Sequence, residues 1–128
     1  MNREIKFRGW CIPREEMLDI QKMSFKFKKV MPNGWNMAWD DTNFEIMQYT
    51  GLTDNNGVDI FEGDIIEGGY LNPLDGGFTS KKYIIEYDVE KGGYMGHIIG
   101  YRPYGDTWIQ FIDGIIIGNI YENKDLLK

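Results

Sequence analysis

Four carboxylates crowd the middle of this chain: Asp54, Asp59, Glu62 and Asp64 all fall within Y-T-G-L-T-D-N-N-G-V-D-I-F-E-G-D-I-I, residues 49–66. Carboxylates at that density suit a divalent cation, which takes several oxygen ligands, or a paired acid and base. Their neighbours point to a different use. Asp54 precedes Asn56-Gly57 and Asp64 follows Gly63, places where a carboxylate accepts backbone N–H bonds and fixes a turn. The block therefore reads as turn chemistry, and no metal, cofactor or catalytic residue is assigned to it.

The other reactive side chains are isolated. His97 is the single histidine, and histidine titrates near neutrality and commonly serves as a general base. It stands between Gly96 and Ile98-Ile99 on an expected strand with no Ser or Cys close by in sequence, so it reads as a structural or surface residue. Cys11 is the one cysteine; it cannot form an internal disulfide, and with one histidine it cannot build a Cys/His zinc site. It has no local cue for thiolate activation, such as a phosphate-loop motif around it, so it reads as an inert thiol near a strand end.

Binding chemistry has two candidates. Lys22, Lys26, Lys28 and Lys29 interleave with Phe25 and Phe27, the combination with which single-strand binders follow a phosphate backbone and stack bases. Strand alternation over Ser24–Lys28 would place the phenylalanines opposite Lys26 and Lys28, in the core, with the lysines solvated. Tyr101, Tyr104 and Trp108 surround Pro103 in an expected loop; they are either an interaction surface or the cover of a barrel end.

The chain has 128 residues, 42% hydrophobic and 15% aromatic, with a formal net charge of −6. That length supports one compact domain, here an N-terminal hairpin or arm region over 1–43 and a barrel-like core over 44–128. The aromatic content favours pleated surfaces. The negative charge repels phosphate backbones over most of the surface. No apolar run approaches a membrane span or a signal peptide, and the lone cysteine suits a reducing compartment, so a cytoplasmic protein without a membrane partner is expected.

Short strands separated by turns carry these residues. Glu4–Trp10 alternates and begins the pattern, and Ile12–Glu16 turns the chain into a hairpin; a short helix over Arg14–Gln21 is the alternative, with Pro13 at its start. Ser24–Lys28 reads as a strand, Met31–Gly34 as a turn, Trp35–Asn43 as loop-prone, and Phe44–Tyr49 as a strand. Asn56-Gly57 predicts a hairpin because glycine, then asparagine, accepts positive φ at least cost. The many glycines of Gly68–Lys82 predict a surface loop. Tyr83–Tyr87, His97–Ile99, Thr107–Ile112 and Ile115–Tyr121 read as strands, the last interrupted by Gly118, and Glu122–Lys128 as one helical turn. The sum is a mainly β fold, a small barrel-like or sandwich domain of short antiparallel strands with little helix. A closed barrel would remove exposed edges, and an open sheet would favour self-association.

Three blocks also resemble a known family. I-K-F-R-G-W (Ile5–Trp10), Q-Y-T-G-L-T-D-N-N-G-V-D-I-F-E-G-D-I (Gln48–Ile65) and I-G-N-I-Y-E-N (Ile117–Asn123) are similar, in that order, to the YopX family of small phage and prophage proteins. The resemblance implies a mainly β domain with a barrel-like core and a phage or prophage origin. It supplies no catalytic or ligand residues. Two functions follow: a non-enzymatic module that forms a homo-oligomer or binds a host or phage protein, and, as the alternative, a nucleic-acid accessory protein using the Lys/Phe segment.

Overall fold

The structure, a computed structural model, describes residues 4–71, 76, 78–99 and 106–127, with the backbone alone at 70, 71, 78 and 79. By its contacts the chain divides into two compact units, Met1–Tyr49 and Thr50–Lys128. The strands are β1 (Phe7–Cys11), β2 (Glu16–Ser24), β3 (Lys29–Pro32), β4 (Trp39–Asp40), β5 (Phe44–Thr53), β6 (Asp59–Phe61), β7 (Asp64–Leu71), β8 (Phe78–Asp88), β9 (Gly93–Ile98), β10 (Asp106–Trp108) and β11 (Gly114–Asn119). They form a six-stranded sheet ordered β4-β3-β2-β1-β5-β6 and a five-stranded sheet ordered β10-β9-β8-β7-β11. The described ladders are antiparallel. The fold is mainly β, as the aromatic and β-branched content predicts, but neither sheet closes into a barrel.

In the N-terminal unit the expected hairpin forms. β1 pairs with β2 from Arg8↔Asp19 to Cys11↔Glu16, and with β5 from Phe7↔Gln48 to Cys11↔Phe44. The helix alternative over Arg14–Gln21 is excluded, because β2 needs these residues extended to complete both ladders. Cys11, Val30 and Phe44 form the buried centre, with Leu18, Ile20, Met23, Trp35, Trp39 and Ile46 packed around it. Cys11 is a free, fully buried thiol at the end of β1. Trp35–Asn43 contributes only the two residues of β4 and a 3-10 turn at Asp41–Asn43.

The expected strand over Ser24–Lys28 is wrong. β2 stops at Ser24, and residues 25–28 turn over to β3. The Phe27 N–H donates to Ser24 Oγ at 3.2 Å and Lys28 adopts φ 53°, so the alternation is interrupted where it looks cleanest. Phe25 and Phe27, expected in the core, are 84% and 67% exposed.

In the C-terminal unit Ile60, Ile66, Ile85 and Ile109 make the core, joined by Tyr94, Ile112 and Ile116. The loop expected over Gly68–Lys82 is corrected. Its described flanks are strand: Gly68↔Lys81 through Leu71↔Phe78 extend the β7–β8 ladder. Gly68 belongs there because a Cβ on it would lie 2.5 Å from the Asp113 carbonyl oxygen, so glycine marks a close backbone approach here rather than a break. The strand expected over Thr107–Ile112 is also shorter, since β10 ends at Trp108 and Ile109–Phe111 is a 3-10 turn burying Ile109. Gly118 sits at the predicted interruption, a register shift between Ile116 and Gly118, and the chain closes with a 3-10 turn at Lys124–Leu127.

Candidate functional site

The acidic block is built into turns. Asp54 Oδ1 accepts the N–H groups of Asn56 and Val58, each at 2.9 Å, and Oδ2 accepts that of Ile116 at 2.9 Å. Gly57, at φ 79°, supplies the positive φ of the hairpin, while its N–H bonds the Asp54 carbonyl at 3.0 Å. Burial alone would raise the Asp54 carboxyl; the N–H groups of Ile116, Val58 and Asn56 outweigh it and hold the pKa below the ordinary aspartate value. Asp64, 2% exposed, accepts the Phe61 N–H through Oδ2 at 2.8 Å and fixes the turn around Gly63. Among the described residues no group of three or more His, Cys, Asp or Glu side chains is placed to hold a metal ion.

The second and third sequence blocks meet in the C-terminal unit. Asn55 donates its backbone N–H to the Gly114 carbonyl at 2.9 Å and its Nδ2 to Asp113 Oδ1 at 2.6 Å. The Gly63 carbonyl accepts the Ile120 N–H at 2.9 Å. Asn119, 7% exposed, accepts the N–H groups of Tyr121 and Glu122 and donates Nδ2 to Glu122 Oε1. Asn123 Oδ1 in turn accepts the Asn119 N–H at 3.1 Å. In I-G-N-I-Y-E-N, both asparagines thus close a polar turn. Glycine at 118 leaves room for it, because a Cβ there would sit 2.4 Å from Asn123 Oδ1. Gly118→Ala and Asn123→Ala should each cost about 1–2 kcal/mol, near the value of a lost cap. In urea melts the double variant should cost no more than the worse single one, since both remove one contact.

His97 spans three neighbouring strands. Its Nδ1 lies 2.8 Å from Asp106 Oδ1 on β10 and its Nε2 3.4 Å from Glu86 Oε2 on β8. The imidazole is about four-fifths buried, and both ring nitrogens face carboxylates, an arrangement that ties β10 to its sheet. Trp108 is half-buried, with its ring over Gly93, where a Cβ would come within 2.7 Å. Tyr101 and Tyr104, the rest of that aromatic cluster, lie outside the described residues.

Two exposed features remain in the N-terminal unit. At the β2–β3 tip Phe25, Lys26, Phe27 and Lys28 are all exposed, as are Lys22 and Lys29. Lys26 Nζ stands 5.4 Å above the Phe27 ring, and Lys29 pairs with Asp40. No Asp or Glu occurs between Asp19 and Asp40, so this basic, aromatic hairpin belongs to an otherwise acidic chain. The signal that sequence periodicity missed was that gap in acidic residues, together with Ser24 as a turn former. The second feature is a groove of about 410 Å³ lined by Arg14, Gly34, Trp35, Asn36, Met37 and Trp39. Trp35 and Trp39 meet edge to face at 4.7 Å, and the Arg14 guanidinium lies 5.1 Å over Trp35 while bonding Glu16 at 3.1 Å.

Sheet edges offer little by comparison. β4 has two residues, and β6 and β10 three each. The outer side of β11 is covered where Asn55 and Asp54 take up the Gly114 carbonyl and the Ile116 N–H. Short or covered edges are how β proteins avoid pairing with other chains.

Open antiparallel sheets, turns locked by buried carboxylates and an exposed aromatic hairpin define a small all-β protein whose polar motif residues serve its own backbone. Residues 6–128 match the YopX family, described as YopX protein, and the chain belongs to that family. The crystal structure of protein EF1440 from Enterococcus faecalis is similar, with a TM-score of 0.67 at 27% identity over 99% of this chain and 100% of that one. No curated protein matches the chain. No helix among the described residues is long and apolar enough to cross a membrane.

Proposed function

We propose that this chain is a phage- or prophage-encoded binding module without catalytic activity, acting in the bacterial cytoplasm by self-association or by holding a host or phage protein. The observation that carries the reading is the β2–β3 tip, where two phenylalanines of one turn are 84% and 67% exposed beside exposed Lys26 and Lys28. Exposed aromatics are costly to leave in water and supply much of the binding energy where they meet a partner. The short and covered edges favour side chains over strand addition as the means of contact. Phe25→Ser with Phe27→Ser should leave the unfolding free energy within about 0.5 kcal/mol of the parent, as for other exposed positions, while abolishing association measured by light scattering. Association that survives the double substitution would remove the tip from the reading.

A second reading rests on the same residues. Phe25 and Phe27 are solvent-facing beside Lys26 and Lys28, so bases could stack on them while the lysines meet phosphates. Anisotropy of a labelled oligothymidylate at low salt separates the two. Binding that weakens as salt rises and vanishes in the double variant would favour nucleic acid.

A further inference from the structure

Asparagine is followed by glycine at two places in this chain, Asn33-Gly34 and Asn56-Gly57, and both asparagines are exposed. Such a pair is open to a reaction within the main chain. The glycine N–H gives its proton to solvent and the nitrogen attacks the asparagine Cγ; the bond from Cγ to the side-chain nitrogen breaks, and ammonia leaves with a proton taken back. Water then opens the cyclic imide at either carbonyl, giving aspartate or, with the main chain rerouted through the side chain, isoaspartate. The sum is water taken up and ammonia released, with nothing oxidised or reduced. Glycine favours the attack because no Cβ crowds its nitrogen.

Backbone conformation does not separate the two pairs. Gly34 has φ 82° and Gly57 φ 79°, and a Cβ on either would meet nothing within 4 Å. Hydrogen bonding does separate them. Asp54 holds three successive N–H groups: those of Asn56 and Val58 on Oδ1, each at 2.9 Å, and that of Gly57 on its carbonyl at 3.0 Å. It also donates its own N–H to the Val58 carbonyl at 2.9 Å. For attack, the Gly57 N–H must leave its acceptor, and its nitrogen must become an anion between two nitrogens that bond the Asp54 carboxylate, where like charge opposes it. Asn33-Gly34 lacks this restraint. The Asn33 N–H donates to the Asp19 carbonyl at 2.8 Å, and the Trp35 N–H to the Pro32 carbonyl at 3.2 Å. Between them, the Gly34 N–H and the Asn33 side-chain amide make no hydrogen bond to any described residue.

We propose that Asn33 is a site of spontaneous deamidation in the folded protein, and that Asp54 spares Asn56 the same reaction. The modification falls beside the groove, whose lining begins with the next residues, Gly34 and Trp35. Aspartate at this turn adds a negative charge, and isoaspartate also inserts an extra main-chain carbon ahead of Gly34 and Trp35.

Fragmentation mass spectrometry of the intact chain, aged at mildly alkaline pH in buffer and in guanidinium, locates each amide converted to a carboxylate. In guanidinium the two asparagines should react at similar rates, since glycine follows both. In buffer Asn33 should react first, with Asn56 slower by at least about tenfold, a suppression that net hydrogen bonds of about 1.4 kcal/mol give when the turn must open before it reacts. Asp54→Asn should bring the Asn56 rate toward its value in guanidinium while leaving that of Asn33 as it was. An Asn33 that reacts no faster than Asn56 in buffer overturns the proposal. An Asn56 that stays slow in guanidinium or in Asp54→Asn overturns the role given to Asp54.

Discussion

Asp54→Asn is expected to lower the unfolding free energy by about 3 kcal/mol or more, from hydrogen bonds to a charged group that contribute about 1.5–3 kcal/mol each. Asparagine can keep one oxygen toward Asn56 and Val58, but its amide nitrogen then faces the Ile116 N–H, which the carboxylate now satisfies at 2.9 Å. The side chain is 9% exposed, so water replaces the lost acceptor poorly. The effect has a defined pH dependence. Despite burial, three backbone N–H groups depress the Asp54 pKa in the folded protein, so the carboxylate stabilises the fold above the unfolded-state pKa, about 3.9. That stability disappears as pH falls through the depressed folded value. Urea unfolding of the two proteins from neutral to acid pH should show curves that differ most near neutrality and converge in strong acid. A loss below about 1 kcal/mol at neutral pH would mean that the hairpin does not depend on this carboxylate, since a single ordinary hydrogen bond contributes about that much.

Gly114→Ala should cost about 3 kcal/mol or more, at or above the upper end for overpacking. A Cβ at this position would lie 2.3 Å from the Glu67 carbonyl oxygen and 2.7 Å from the Gly68 Cα. The obstacle is the backbone of β7, which cannot step aside as a side chain tip can. Gly57→Ala is the comparison: nothing lies within 4 Å of its Cβ, and only the φ of 79° opposes substitution. It should cost about 1–2 kcal/mol, the strain of one left-handed L-residue. Thermal unfolding of the two variants side by side distinguishes backbone collision from backbone conformation. Equal losses would contradict the close approach of β7 and β11.

What was legible in the sequence follows from how local each cause is. Asn56-Gly57, Gly63 and the Asp54 and Asp64 turns act over a few residues, and the structure realises each of them. The interruption at Gly118 was legible for the same reason. Gly68 was misread because the reason for it, the Asp113 carbonyl, is distant in sequence. Phe25 and Phe27 were misread because alternation alone cannot show where a strand ends; Ser24 and Lys28 end it through a side-chain hydrogen bond and a positive φ. The Trp35–Trp39 groove was illegible, since it needs Arg14 brought over Trp35 by the β1–β2 turn.

The central claim is that the shared motif residues hold the backbone while the β2–β3 tip makes the contacts of function. Light scattering coupled to size exclusion, run on the parent and on Phe25→Ser with Phe27→Ser, with and without oligonucleotide at low salt, tests it most directly. A defined oligomer that ignores the oligonucleotide and falls to monomer in the double variant is the predicted result. A parent that is monomeric with and without oligonucleotide, or an association or shift that persists unchanged in the double variant, would contradict it.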